Sequence, residues 1–114
     1  MEDKILQGNL YDFYGELLNE HQRSIYEEFV LQDLSLGEIA EGRGISRQAV
    51  HDVIRRSTKT LEDYETKLHL LHKFEQIREK VQEVNSLAAH VSSIDRDVVI
   101  KKIVSLSNEI LEEL

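Results

Sequence analysis

The sequence predicts an all-α fold: a helical domain with a helix-turn-helix, then a long helix and a C-terminal helical hairpin. Three observations predict it. The 114 residues include no proline, and no useful length alternates apolar with polar as a half-buried strand would. Apolar residues recur instead at three- and four-residue spacing over most of the chain. Residues 35 to 56, SLGEIAEGRGISRQAVHDVIRR, carry start, stop and restart signals for two closely linked helices.

That stretch organises the rest. Ser35 can cap a short helix with Leu36, Ile39 and Ala40 on one face. Gly44 can take the positive φ that ends it. Ser46 stands where the next helix needs a cap, and Ala49, Val50, Val53 and Ile54 follow at helical spacing. This is the helix-turn-helix layout. Ala40 is small where two helices cross closely. Ile45 is expected to plug the gap between them, completing a small core with Ile39, Val50 and Val53.

Before the motif, residues 5 to 18 read as a first helix. Its apolar stripe is Ile5, Leu6, Leu10, Phe13, Tyr14, Leu17 and Leu18. Asn19 can cap a second helix over residues 20 to 32, with Ile25, Tyr26, Phe29 and Val30 facing the core. After the motif, residues 47 to 87 hold no glycine or proline. One unbroken helix there would span about 60 Å, against a radius of gyration of about 13 Å for a compact domain of this size. The reading is a long helix, kinked around Ser57–Thr60, where Thr58 or Thr60 offers a cap. Leu61, Tyr64, Leu68 and Leu71, then Phe74, Ile77, Val81, Val84 and Ala88, resemble a coiled-coil seam with one phase slip. Residues 89 to 93 read as a turn, with Ser92 or Ser93 capping a last helix over 94 to 113. That helix has two apolar faces: Val99, Ile103, Leu106 and Ile110, and Ile100, Val104 and Leu111. Residues 1 to 60 form the N-terminal helices and motif. Residues 61 to 114 form the extension for packing and dimerisation, within one continuous domain.

Composition narrows the function. With 40 % hydrophobic and 32 % charged residues, the chain can build a modest core. It has no cysteine, which excludes disulfide and thiolate chemistry. The start, MEDKILQGNLYDF, lacks the basic and apolar regions of a signal peptide, and no apolar run approaches the roughly 20 residues that cross a bilayer. A cytoplasmic protein with no membrane partner is expected. The formal net charge is −8, which opposes nucleic-acid binding. It is unevenly placed: residues 1 to 34 carry −6, residues 35 to 60 carry +2, and residues 61 to 114 carry −4. The one cationic segment is the helix-turn-helix and its extension, so weak non-specific affinity with a moderate salt dependence is expected there.

Candidate site residues follow from the motif. Ser46, Arg47, Gln48, His51, Asp52 and Arg55 project from the exposed face of its second helix, whose first turn enters a major groove. Arg47 suits guanine and Gln48 adenine. Asp52 opposes phosphate but can accept from cytosine. Arg43, Arg56 and Lys59 suit phosphate contacts, which position without specifying. The bland alternative is a solvated helix face, with Arg55 paired to Asp52.

Other constellations carry less. Glu65, His69 and His72 fall on one helical face and have ligand chemistry for zinc. The spacing places no catalytic base, and Lys67 and Lys73 oppose a cation, so they read as a polar flank and no metal is expected. Gly42-Arg43-Gly44 follows a helix rather than a strand and lacks the other residues of a phosphate cradle. Glu27-Glu28 and Glu112-Glu113 splay as surface charge. No nucleophile constellation appears. Neither an enzyme nor a cofactor is expected.

The stretches LYDFYGELLNEHQ, LSLGEIAEGRGISRQAVHDVIRR and TLEDYETKLHL, within residues 10 to 75, resemble the YlxM family of small bacterial helix-turn-helix proteins. That family in turn resembles the promoter-reading C-terminal domain of sigma factors. The resemblance implies a non-enzymatic DNA-binding or particle-associated protein, a regulator connected with the signal recognition particle pathway. Two readings stand: a homodimeric DNA-binding regulator, and an adaptor contacting the particle's GTPase or RNA without binding DNA. The acidic segments favour the second, since basic RNA-binding proteins offer complementary charge.

Overall fold

The structure, a computed structural model, describes residues 3–91 and 95–114. The described residues form six α-helices and no strand: α1 (Lys4–Tyr14), α2 (Glu20–Val30), α3 (Leu36–Arg43), α4 (Arg47–Leu68), α5 (Leu70–Ala89) and α6 (Arg96–Glu113). A 3-10 turn, Gly15–Leu17, follows α1. The all-α expectation is met. The chain divides into two compact units, Met1–Leu71 and His72–Leu114.

Short polar side chains start the helices by accepting bonds from amides that have no helical partner. Asp3 accepts from Leu6 N at 2.9 Å. Asn19 and Gln22 form a reciprocal capping box, as do Ser35 and Glu38. Ser46 accepts from Ala49 N at 3.0 Å. The last helix starts later than expected, with Asp95 accepting from Asp97 N and Val98 N. Ser92 and Ser93, the expected caps, lie outside the described residues.

The first unit is built around α4, which packs against α1, α2 and α3. Val50, Ile54, Ser57 and Leu61 line its fully buried side. Facing them are Leu10, Tyr14, Ile25, Tyr26 and Ile39. The stripe expected on α1 is only partly buried: Ile5 stays 80 % exposed and Leu17 55 %, with Leu6 and Phe13 also at the surface. The inward row is instead Gln7, Leu10, Tyr11, Tyr14 and Leu18. Each tyrosine ends on a polar partner, so its ring can be buried without stranding its hydroxyl. Tyr11 Oη donates to Glu27 and stacks on Tyr26 at 5.7 Å. Tyr14 Oη donates to Glu65 Oε1 at 2.6 Å, and its ring stacks on Tyr64 at 6.0 Å. Tyr26 Oη bonds Thr58 Oγ1 at 2.8 Å, and Gln7 Nε2 donates to that oxygen at 3.2 Å. Gly15 permits the Tyr11 ring to lie against the backbone, since a Cβ there would stand 2.6 Å from the ring.

The expectation of one helix from residue 47 to about 87 is corrected. Helix α4 runs unbroken through Ser57–Thr60 and stops at Leu68. His69 takes a left-handed conformation at φ 57°, and α5 begins at Leu70. The cause is a set of bonds that compete with helix continuation. Leu70 N donates to Tyr14 Oη at 3.1 Å, and Leu71 N donates to Glu65 Oε1 at 3.0 Å. Those two amides open α5 and need acceptors from outside the helix. The break falls at His69, within the Glu65–His69–His72 stretch.

In the second unit, α6 shows the two faces expected. Val99 is buried, and Ile103, Leu106 and Ile110 are half-buried. Ile100, Val104 and Leu111 are 51 %, 54 % and 67 % exposed. Lys80 of α5 lies 3.9 Å from Glu113 of α6.

Tyr14→Phe removes one acceptor and one donor at the α4–α5 junction and is expected to cost about 1–2 kcal/mol. Burial, with the Glu65 bond second, raises the Tyr14 phenol above its ordinary value; burial likewise raises Tyr11 and Tyr26. A folded-state pKa above the unfolded one gives stability that is complete below pH about 10 and lost above it. Denaturant unfolding at pH 7 to 12 should therefore show stability falling on the alkaline side, less steeply in Tyr14→Phe. An equal slope in both proteins would contradict this.

Candidate nucleic-acid interface

The helix-turn-helix is set up by local chemistry. The Ser35–Glu38 box fixes the start of α3: Glu38 N donates to Ser35 Oγ at 3.1 Å, and Ser35 N to Glu38 Oε1 at 3.0 Å. These bonds hold the Glu38 carboxyl below its usual range. At the other end Gly44 has φ 67°, and Ile45 N donates back to Ala40 O at 3.1 Å. This glycine closure satisfies carbonyls that the helix end would leave unpaired. Two residues later Ser46 caps α4. Ile39 and Ala40 are buried against Val50 and Ile54, with Leu36 and Val53 packed beside them. Ile45 does not plug the motif as expected. It remains 39 % exposed, while its amide completes the closure and Ile54 fills the inner position.

Along α4 the inner and outer faces separate cleanly. Val50, Ile54 and Ser57 point inward, while Ser46, Arg47, Gln48, Arg55, Arg56 and Lys59 are exposed. His51 and Asp52 are half-exposed. Of the six residues expected on the reading face, Gln48, Asp52 and Arg55 share the outer side of α4, His51 and Arg47 flank it, and Ser46 is the cap, all within about two and a half turns. Arg47 and Arg56 have no ion-pair partner among the described residues. Gln48 Nε2 donates to Asp52 Oδ1 at 3.1 Å, and Arg55 Nη2 lies 3.9 Å from the same oxygen. Lys59 Nζ donates to Asp63 at 3.0 Å. That bond raises the lysine's pKa, so it stays cationic.

Arg43 is placed differently from the other cations. Its Nε donates to Glu28 Oε2 at 3.0 Å and its Nη2 to Ser24 Oγ at 2.6 Å. The side chain is only 27 % exposed. It clamps the C-terminal turn of α3 to α2 and so fixes the motif on its platform. Sequence reasoning missed this because Ser24 and Glu28 are far from Arg43 in the chain and resemble any other exposed pair on a helix.

The geometry is that of two helices joined by a tight left-handed turn, the second exposing a polar, mainly cationic face. The sequence profile described as "UPF0122: Putative helix-turn-helix protein, YlxM / p13 like" matches residues 1–103. The chain belongs to this family. The match thus reaches well beyond residues 10 to 75, where the quoted motifs lie. Among similar proteins is a UPF0122 protein of Shouchella clausii, 48 % identical over 96 residues, covering 83 % of this chain and 88 % of the relative. A UPF0122 protein of Halalkalibacterium halodurans is 52 % identical over 85 residues, covering 74 % of this chain and 78 % of the relative. One from Thermoanaerobacter sp. is 39 % identical over 113 residues, covering 99 % and 97 %. The profile's description names a helix-turn-helix protein, in keeping with the α3–α4 geometry. Among the described residues no helix is long and apolar enough to cross a membrane.

The clamp gives a direct check. Arg43→Ala should lower unfolding stability by about 1–2 kcal/mol, because it strips partners from half-buried Glu28. Arg47→Ala, on the exposed face, should change it by less than about 0.5 kcal/mol. Urea titrations of both variants, followed by circular dichroism, test the difference. Equal effects would mean that Arg43 is a surface cation like the others.

Proposed function

We propose that this chain is a DNA-binding regulatory protein that reads duplex DNA with the first two and a half turns of α4. The observation that carries the reading is the exposed face of a capped, glycine-turned second helix, standing in residues 35 to 60, which carry a net +2 in a chain of net −8. In this reading Ser46, Arg47, Gln48, His51 and Arg55 meet base edges in the major groove, and Asp52 stands between them, bonded to Gln48. Arg56 and Lys59 contact phosphates, and Arg43 supports them by holding α3 in place. Family membership supports a cytoplasmic role, and the resemblance to YlxM proteins supports regulation of the signal recognition particle pathway.

The protein acts as a homodimer in this reading. Support comes from Ile100, Val104 and Leu111, a row of exposed apolar side chains on one face of α6. A dimer presents two motifs and so reads two half-sites at a fixed spacing. Light scattering at micromolar concentration should give twice the chain mass of 13.3 kDa, and Val104→Glu should halve it. A monomeric mass for the unaltered protein would refute the dimer.

The two kinds of contact separate by mutation. Arg47→Ala should erase preference at one base pair, a loss of about 1–3 kcal/mol of discrimination. Lys59→Ala should weaken binding to all duplexes alike and reduce the salt slope by about one. Binding isotherms on a preferred and a scrambled duplex, at several salt concentrations, distinguish them. Equal effects of both variants on every duplex would remove sequence reading. No duplex binding at all, with association to purified signal recognition particle at low salt, would put the adaptor role in its place.

A further inference from the structure

An acid stands in the middle of the face that would meet a polyanion. Asp52 lies one helical turn beyond Gln48, with its side chain 40 % exposed. Its Oδ1 accepts the 3.1 Å bond from Gln48 Nε2. Arg55 Nη2 and His51 Nδ1 each lie 3.9 Å from that same oxygen. Three of the five other residues on the reading face are therefore grouped around one carboxylate oxygen. Direct approach of this carboxylate to a phosphate backbone is repulsive. Its use in ordering its neighbours is not.

The chemistry of the Gln48–Asp52 pair decides which way the amide turns. An ionised carboxylate only accepts hydrogen bonds, whereas a glutamine amide has a donating end and an accepting end. Gln48 must therefore aim its nitrogen at Asp52. Its carbonyl oxygen and its second N–H remain available. Those are the two groups that a bidentate contact with adenine N6 and N7 uses. A glutamine without such an anchor offers either end outward and samples several rotamers. Fixing one arrangement in advance lowers the ordering cost of binding the matching base and leaves mismatched bases facing the wrong groups.

We infer that Asp52 is a positioning residue: it holds Gln48 in its adenine-reading orientation and contacts no base itself. The inference rests on the DNA-reading function proposed above. It replaces the simpler expectation that Asp52 accepts from cytosine.

Asp52→Asn is the informative change. It keeps the size and shape of the side chain on an exposed helix face, removes the charge, and puts an amide that both donates and accepts opposite Gln48. The full-length protein, Asp52→Asn, Gln48→Ala and the double variant are each used to select from a random duplex library at low salt. Affinities for the enriched duplex and for its single-base variants are then measured. Asp52→Asn should bind every duplex more tightly, because a repulsive charge is gone. Its preference for adenine should nevertheless fall by about threefold or more, at the same position where Gln48→Ala abolishes it, and the double variant should lose nothing further there. A purely structural role would shift all duplexes together and leave the preference intact. Unchanged adenine preference in Asp52→Asn overturns the inference while leaving DNA reading in place. So does a loss of preference at a position that Gln48→Ala does not affect, since Asp52 would then read a base directly. If the unaltered protein enriches no sequence, DNA reading fails and the inference fails with it.

Discussion

The structure depends on the burial of one side of α4. Val50, Ile54, Ser57 and Leu61 are each fully enclosed, and α1, α2 and α3 all pack on that helix. Burying aliphatic side chains of the size of Val50, Ile54 and Leu61 is worth about 1.5–3 kcal/mol each, so these three supply much of the cohesion of a small domain. The same helix carries Gln48, Asp52 and Arg55 on its other side, with Arg47 and His51 at the flank. Core and reading face are thus opposite sides of one rigid element. Any shift of α4 in the core moves the polar face with it.

The polar groups around α4 are placed to suit this arrangement. The tyrosines of α1 and α2 bring large rings into the core and end on Glu27, Glu65 and Thr58. The Tyr14–Glu65 pair then receives Leu70 N and Leu71 N, which stops α4 after 22 residues and starts α5. Arg43 acts at the other end of the motif, where its bonds to Ser24 and Glu28 hold α3 against α2. The helix that would touch DNA is therefore fixed in length by one set of bonds and in orientation by another. Such preorganisation lowers the ordering cost of binding.

What the sequence made legible is what local chemistry determines. Ser35, Gly44 and Ser46 act on amides and carbonyls within a few residues of themselves, so their roles could be read directly. The apolar spacing of α2 and the two faces of α6 were legible for the same reason. The break at His69 was not. No glycine or proline marks it, and its cause includes Tyr14, 51 residues from Glu65 along the chain. The inner face of α1 was misread because leucine and isoleucine look more buried than tyrosine or glutamine. Only the three-dimensional partners of Gln7 and Tyr11 make those residues the better core. At the site, the residues of the face were legible and their couplings were not: the clamp on Arg43 requires the tertiary fold, and the grouping around Asp52 requires side-chain geometry.

In the proposed function, duplex DNA docks on the N-terminal half of α4. A titration of the isotopically labelled protein with a short duplex at low salt, followed by amide chemical shifts, tests it most directly. Shifts should concentrate in residues 46 to 59, including the Gln48 side-chain amide, and weaken as salt is raised. Shifts confined to α5 and α6, or no shifts at duplex concentrations near 1 mM, weaker than ordinary non-specific binding, would contradict it.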